Sequence, residues 1–227
     1  SGITDTEQAF FDDGSVEKLG ELGAVGRIGW YVPSYVIDEY PELATWEGYT
    51  TPEAAALFAT AETGDRGRFL GTDPSYSEFD GQIIENLSLP FDVVFSGSEP
   101  ATVAELDARV AAKEPVLMYW WTPTAAVGKY DLKQVALPPY TEECGVAAAA
   151  GDGGVDCEYP EDVILKANFA GLNDKAPGVY SFLKAFTITN DDQLEMLPSA
   201  EIDGEDVEDV ATAWIVAHKD VWSTWIG

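Results

Sequence analysis

Between residues 27 and 121, four short apolar segments at 27–32, 68–71, 91–95 and 116–121 are separated by stretches of helical periodicity. Each segment is too short for a stable helix and rich in aromatic or β-branched residues, which predicts strands. In the intervals, Thr51 followed by Pro52 predicts a helix start, with an N-cap and a proline in the first turn. Phe79, Ile83, Ile84 and Leu87 recur at helical spacing, and Thr102 with Glu105 predicts a capping box for a helix running to Lys113. Strands joined through helices pair in parallel, with the helices on the sheet faces. The expected fold class is α/β, a parallel-rich sheet flanked by helices.

After Pro138 and Pro139 the pattern changes. Helices are expected over 162–172, 178–185, 191–197 and from 205 to the end, with no strand among them. The last carries Val207, Val210, Ala211, Trp214, Ile215 and Trp222 at core-facing spacing. A helical segment without strands of its own needs a partner to pack against.

Charge excludes several function classes. Twelve Lys and Arg against 41 Asp and Glu give a net charge of −29, a field that repels phosphate backbones and anionic lipid, so no nucleic-acid partner is expected. A hydrophobic content of 46% is too high for a disordered acidic tail. No apolar run approaches the ~20 residues needed to span a bilayer. The sequence has no GxSxG, no GxGxxG after a strand, no Walker loop and no HExxH. Its one histidine, His218, lies between Trp214 and Trp222 and reads as a surface or packing residue. The DGGVD run at 152–156 lacks the spacing and terminal Glu of an EF-hand. No catalytic residue, cofactor or metal is assigned.

Cys144 and Cys157 are the only thiols and stand in a loop-like stretch rich in Gly and Ala. They are either two free cysteines of a cytosolic protein or a disulfide. The disulfide is favoured; it would contribute roughly 3 kcal/mol in the chain-entropy estimate and points to an exported protein.

Aromatic residues gather at the carboxyl ends of the predicted strands, where open α/β sheets bind ligands. Trp30 and Tyr31 end the first strand, Tyr76 lies in the turn after the second, and Trp121 ends the fourth. Alternation along a strand sends Trp120 and Trp121 to opposite faces, so one of them should pack against a helix. Ring faces without a catalytic base suit a quaternary ammonium, which offers no proton to hydrogen-bond and is held by cation–π attraction. The alternative is that all are ordinary core aromatics.

Four stretches settle the balance: GWYVPSYV (29–36), FLGTDPSYSEFDG (69–81), KEPVLMYWWTPT (113–124) and KYDL (129–132). With the C-terminal Trp214, Ile215, His218 and 221–226, they resemble the substrate-binding proteins of ABC transporters for glycine betaine, choline and related quaternary amines. The likeness covers nearly the whole chain. It implies a two-lobed, periplasmic-binding-protein-like (type II) fold with a hinge. Residues 29–159 would form one complete lobe, and residues 1–28 with 160–227 the mostly helical remainder of the other. That first lobe would be incomplete, because in the family an earlier segment completes it and supplies another cage aromatic.

The resemblance assigns Trp121 and Tyr76 to an aromatic cage, with Trp30 and Tyr31 beside it. It assigns the backbone amides of Ser77 and Glu78, at a helix N-terminus, to a ligand carboxylate. Glu78 itself has two readings. It complements the helix dipole and faces solvent, or it faces the pocket and turns preference from betaine towards choline or an N-oxide. The implied role is an extracytoplasmic receptor, periplasmic or lipid-anchored, that delivers its ligand to a membrane permease and its ATPase subunits without chemistry. Two competing readings are an acidic α/β hydrolase, which requires turnover and a metal, and a non-catalytic interaction module.

Overall fold

The computed structural model describes residues 5–76, 79–151 and 153–226; the expectations placed on Ser77 and Glu78 lie outside the described residues. The chain divides into two compact units, one of residues 28–121 and 126–160, the other of residues 1–27, 122–125 and 161–227.

The first of these is built on the end of strand β1 (Val16–Pro33, of which only 28–33 belong to this unit) with β2 (Gly67–Gly71), β3 (Phe91–Phe95), β4 (Leu117–Thr122) and β5 (Leu132–Val135), in the order β3-β2-β4-β1-β5. β2 runs parallel to both β3 and β4, whereas the end of β1 pairs antiparallel with β5, Trp30 opposite Val135. The sheet is therefore mixed. β5 is four residues of mixed polarity, LKQV, too short to leave a periodic signal.

The helices start mostly where expected. Thr51 caps the helix Pro52–Phe58, its hydroxyl accepting from the Ala54 amide at 3.2 Å. The capping box at Thr102 does not form. That helix begins at Glu99, capped by Ser98, and a proline at 100 in its first turn favours the earlier start. Thr102 is buried inside the helix, its hydroxyl 2.6 Å from that of Ser96, and Glu105 instead takes the Arg68 guanidinium in a bidentate pair.

Alternation along the strands feeds two cores. Trp30, Phe69, Leu117 and Tyr119 join Tyr49, Phe58 and Phe91 in one; Tyr31, Leu70, Met118 and Trp120 join Leu106 in the other. Gly67 and Gly71 on β2 lie opposite Phe91 and Phe95 on β3, and a Cβ on either glycine would stand 2.3 or 2.5 Å from the facing ring. The bare backbone at Gly67 leaves Phe91 room to meet Tyr49 and Phe58, at centroid separations of 5.8 and 5.6 Å.

In the second unit the expectation of a helix over 162–172 is overturned. Asp162–Phe169 is strand β6, antiparallel to β1 with Val16 opposite Phe169. Its apolar run, Val163–Leu165, is equally compatible with strand or helix, and β-branched Val and Ile tip it once β1 offers an edge. The β1–β6 register shifts between Glu21 and Val25. Past the shift Val25 stands opposite Val163, and its backbone groups are taken by the Asn190 side chain, which accepts from the Val25 N–H at 2.7 Å and donates to its C=O at 2.8 Å. Asn190→Ala leaves both Val25 groups unpaired in a partly buried place. A loss of about 2 kcal/mol is expected, read as a lower urea midpoint at unchanged slope; an unmoved midpoint would show that water replaces the amide at no cost.

Helices Pro177–Ala185, Asn190–Glu201 and Val207–Ala217 follow β6. A capping box of Thr189 and Asp192 opens the second of them. The third buries only Val210 and Trp214, leaving Val207 at 69% and Ile215 at 46% exposure, so its core stripe is narrower than the sequence predicts. Phe186 and Trp214 meet Trp225 at 4.7 and 6.1 Å. His218 stacks on Trp214 at 4.6 Å, and its Nε2 lies 3.0 Å from the Glu195 carboxylate, whose hydrogen bond raises the imidazole pKa.

Candidate functional site

Four chain segments of the unit built on β2, β3 and β4 bring their aromatic side chains together. The first is the turn after β2. Pro74 sets its bend, Tyr76 N–H closes it onto the Asp73 carbonyl at 3.1 Å, and the Asp73 carboxylate accepts from the Ser75 amide and hydroxyl at 2.8 and 2.7 Å. This hydrogen-bonded turn presents the Tyr76 ring, which is 40% exposed.

The second segment is the end of β4. Period-two alternation puts Leu117, Tyr119 and Trp121 on one side and Met118 and Trp120 on the other. The expected opposition of Trp120 and Trp121 holds for their backbone positions but not for their rings, which stack at 4.5 Å and 23°. Trp120 is core, whereas Trp121 is half-buried and touches both cores.

The third segment is the start of the helix Asp80–Asn86, with Phe79 just before it. The fourth ends in Tyr159 and is held at three points. Cys144 and Cys157 form a disulfide, Asn86 donates to the Gly153 and Val155 carbonyls at 2.9 and 2.8 Å, and Glu158 N–H bonds the Pro138 carbonyl at 2.8 Å. Cys144 lies in a helix, Glu142–Ala150, rather than in the loop its composition suggested.

Tyr76 meets Trp121 at 6.2 Å with the rings at 80°, and Tyr119 at 6.3 Å. Tyr119 in turn touches Trp121 at 6.2 Å and Tyr159 at 6.0 Å, and Tyr159 touches Phe79 at 6.0 Å. Nearly perpendicular rings make a corner in which one cation can lie within the ~6 Å of two centroids that cation–π attraction requires. Acidic groups bias the corner further. Burial, then Asp73 and Glu99, raise the Tyr76 phenol, and the Ser75 hydrogen bonds hold the Asp73 carboxyl below its usual range, so it is anionic at neutral pH.

Asp80, which opens the helix Asp80–Asn86, is wholly buried. Its Oδ1 accepts from the Trp30 indole N–H at 2.8 Å and the Tyr159 hydroxyl at 2.9 Å, while Oδ2 has no partner among the described residues. Burial pushes its pKa up to about 6, against the two hydrogen bonds, which favour the anion. Burial together with the Asp80 charge sends the Tyr159 phenol well above its ordinary value.

The structure thus brings together Tyr76 and Trp121 of the sequence-assigned residues. Trp30 and Tyr31 are in neither wall of the corner: they are 0% and 2% exposed and belong to opposite cores. Trp30 instead supports the site through Asp80. Sequence reasoning missed Tyr119, Tyr159 and Asp80. Tyr119 was recoverable, because it stands two residues before Trp121 on the same face. No cluster of three or more potential metal ligands occurs among the described residues.

Residues 4–217 match the family model described as the substrate binding domain of ABC-type glycine betaine transport systems. The trimethylamine N-oxide-binding protein of Pelagibacter ubique (strain HTCC1062) is 28% identical over 217 residues, which are 93% of this chain and 68% of that protein. The fold is that of lactococcal OpuAC, crystallised closed on glycine betaine, with TM-score 0.62, 19% identity, and coverage of 100% of this chain and 77% of that one. A choline-binding protein in complex with choline shares it, with TM-score 0.55, 19% identity, and coverage of 96% and 68%. These neighbours share the mixed, helix-flanked sheet of periplasmic binding proteins.

Proposed function

Because the chain belongs to the family of substrate-binding domains of ABC-type glycine betaine transport systems, which bind solutes rather than transform them, we propose that it captures a small methylated amine in the Tyr76–Trp121–Tyr119 corner. The ligand class is a quaternary ammonium, such as choline or glycine betaine, or the related N-oxide. The observation that carries this reading is the 6.2 Å, 80° meeting of Tyr76 and Trp121, beside an Asp73 carboxylate that is anionic at neutral pH. An onium head has no N–H to donate, so ring faces and a negative field are the interactions open to it. The name of the trimethylamine N-oxide-binding relative supports the same class.

We take the two compact units as the lobes of the family fold, and the partners as a membrane permease and its ATPase subunits. The Cys144–Cys157 disulfide supports an extracytoplasmic place, where such bonds persist. Among the described residues no helix is long and apolar enough to cross a membrane.

A thermal-shift panel of choline, glycine betaine, carnitine, trimethylamine N-oxide and proline betaine tests the reading. A ligand at a hundredfold excess over its Kd adds about 2.7 kcal/mol, which for a chain of this size raises Tm by roughly 5–10 °C. Absence of any shift across the panel would overturn the assignment. Rank order separates the two readings of Glu78: choline and the N-oxide lead if its carboxylate faces the ligand, and betaine leads if it does not.

A further inference from the structure

We propose that Asp80 is a positioning residue for onium capture: its buried carboxylate holds the Trp30 and Tyr159 side chains and places an uncompensated negative charge behind the aromatic corner. The inference rests on the ligand class proposed above and adds a residue that never touches the ligand. Three observations carry it. Asp80 is wholly buried, yet its hydrogen bonds come only to Oδ1, leaving Oδ2 without a partner among the described residues. The two side chains it grips lead to the site in different ways. Tyr159 contacts Tyr119 and Phe79, and Trp30 packs on Phe69 at 4.8 Å in the core under β4. Its hydrogen-bond partners are neutral, and among the described residues no cation is paired with it.

A purely structural role would be filled as well by a neutral residue, at lower desolvation cost. An anion under a cation site has a different effect. Asp80 reaches the corner through Tyr159 and Tyr119, and at an effective dielectric constant of ~20 two unit charges on the order of 10 Å apart interact strongly enough to change an affinity about tenfold.

The groups facing Asp80 are Trp30 from β1 and Tyr159 from the segment before β6, with Tyr119 of β4 behind Tyr159. Trp30 does not titrate, and the Tyr159 phenol is raised well above its ordinary value. Asp73, beside Tyr76, is held below the ordinary carboxylate range. Of these groups among the described residues, the Asp80 carboxyl, with its pKa of about 6, is the one placed to change charge between pH 7.5 and 5. His218, in the other unit, is raised above its ordinary value by the Glu195 hydrogen bond; any contribution from it is common to wild type and an Asp80 variant and cancels in the comparison.

The test is calorimetric titration of choline and of trimethylamine N-oxide into the wild-type protein and Asp80→Asn at pH 7.5, 6.5, 5.5 and 5.0. Asparagine keeps an oxygen to accept from Trp30 and Tyr159 and removes the charge. Expected are a roughly tenfold weaker choline Kd for the variant at pH 7.5, a wild-type choline affinity that falls by a similar factor towards pH 5, and a variant that lacks this fall. Wild-type binding matched by Asp80→Asn, or the same pH slope in both, overturns the role of Asp80 and leaves the ligand class standing. Failure of the wild type to bind either compound at pH 7.5 overturns the ligand class itself. Should Asp80→Asn not fold, the wild-type profile decides: a flat affinity from pH 7.5 to 5 rejects the proposal.

Unfolding of the unliganded protein gives a second readout. The folded pKa lies above the 3.8 of an ordinary aspartate, so the Asp80 contribution to stability is fully present below pH 3.8 and is lost as pH rises through about 6. Asp80→Asn lacks that loss, and its Tm relative to wild type should climb between pH 4 and 7. A constant difference over this range overturns the buried, ionising Asp80 on which the proposal stands.

Discussion

Replacing Trp121 by alanine is expected to weaken choline binding by about a hundredfold while leaving the protein folded. A desolvated ring contributes up to ~2 kcal/mol to a quaternary ammonium. Truncation also removes the surface against which Tyr76 and Tyr119 rest, each at about one ring's distance. A combined loss of about 3 kcal/mol corresponds to two orders of magnitude in Kd. The folding cost stays below the ~3–5 kcal/mol of a fully buried Trp→Ala change, since Trp121 is only half-buried. Trp121→Phe keeps a ring face with a weaker quadrupole and should recover much of the affinity. Calorimetric titration beside a circular-dichroism melt checks both points. An alanine variant within threefold of wild type would move the ligand away from this corner.

The second large effect concerns the disulfide. Cys144→Ala combined with Cys157→Ala opens a loop of sequence separation 13 and should cost about 3 kcal/mol by chain entropy alone. For a chain of this length that is a fall in Tm of roughly 6–12 °C. Both sulfurs are buried in the core that also holds Ile83 and Val155, so the alanines add a packing loss. The same cross-link tethers the segment that ends in Tyr159. Near-ultraviolet circular dichroism from the tyrosine cluster should therefore weaken in the variant even well below its melting point. A variant with the wild-type Tm would mean that the Asn86 and Pro138 contacts hold this segment without the covalent tie.

Local rules made the central features legible. Short aromatic runs separated by helical periods point to β2, β3 and β4, and Thr51-Pro52 marks a helix start that forms with its cap. Strand ends drew attention to the two rings at the corner, but ordinary core aromatics fitted that pattern as well, and it was the family resemblance that assigned Tyr76 and Trp121 to a cage. What was lost depends on non-local partners. The residues of β6 become a strand because β1 runs on far enough to pair with them, and no window within 162–172 contains that information. Thr102 and Glu105 match a capping pattern, but Ser98 and the proline at 100 compete one turn earlier and win. Asp80 is one of 41 acidic residues. Only packing singles it out, by bringing an indole from 50 positions before it and a phenol from 79 positions after it onto one carboxylate oxygen.

The close approach at Gly67 and Gly71 has a consequence for mutational tolerance. In a saturation library Gly67 should be about as depleted as Trp30, because even alanine drives a methyl group into the buried Phe91 ring, and Gly71 less so, because Phe95 is 41% exposed and can swing aside. Phe91 and Phe95 set that limit, so trimming the facing ring to leucine or valine should reopen the glycine sites. The two strands would then evolve as locked pairs, with bulk allowed on one side only when it is surrendered on the other.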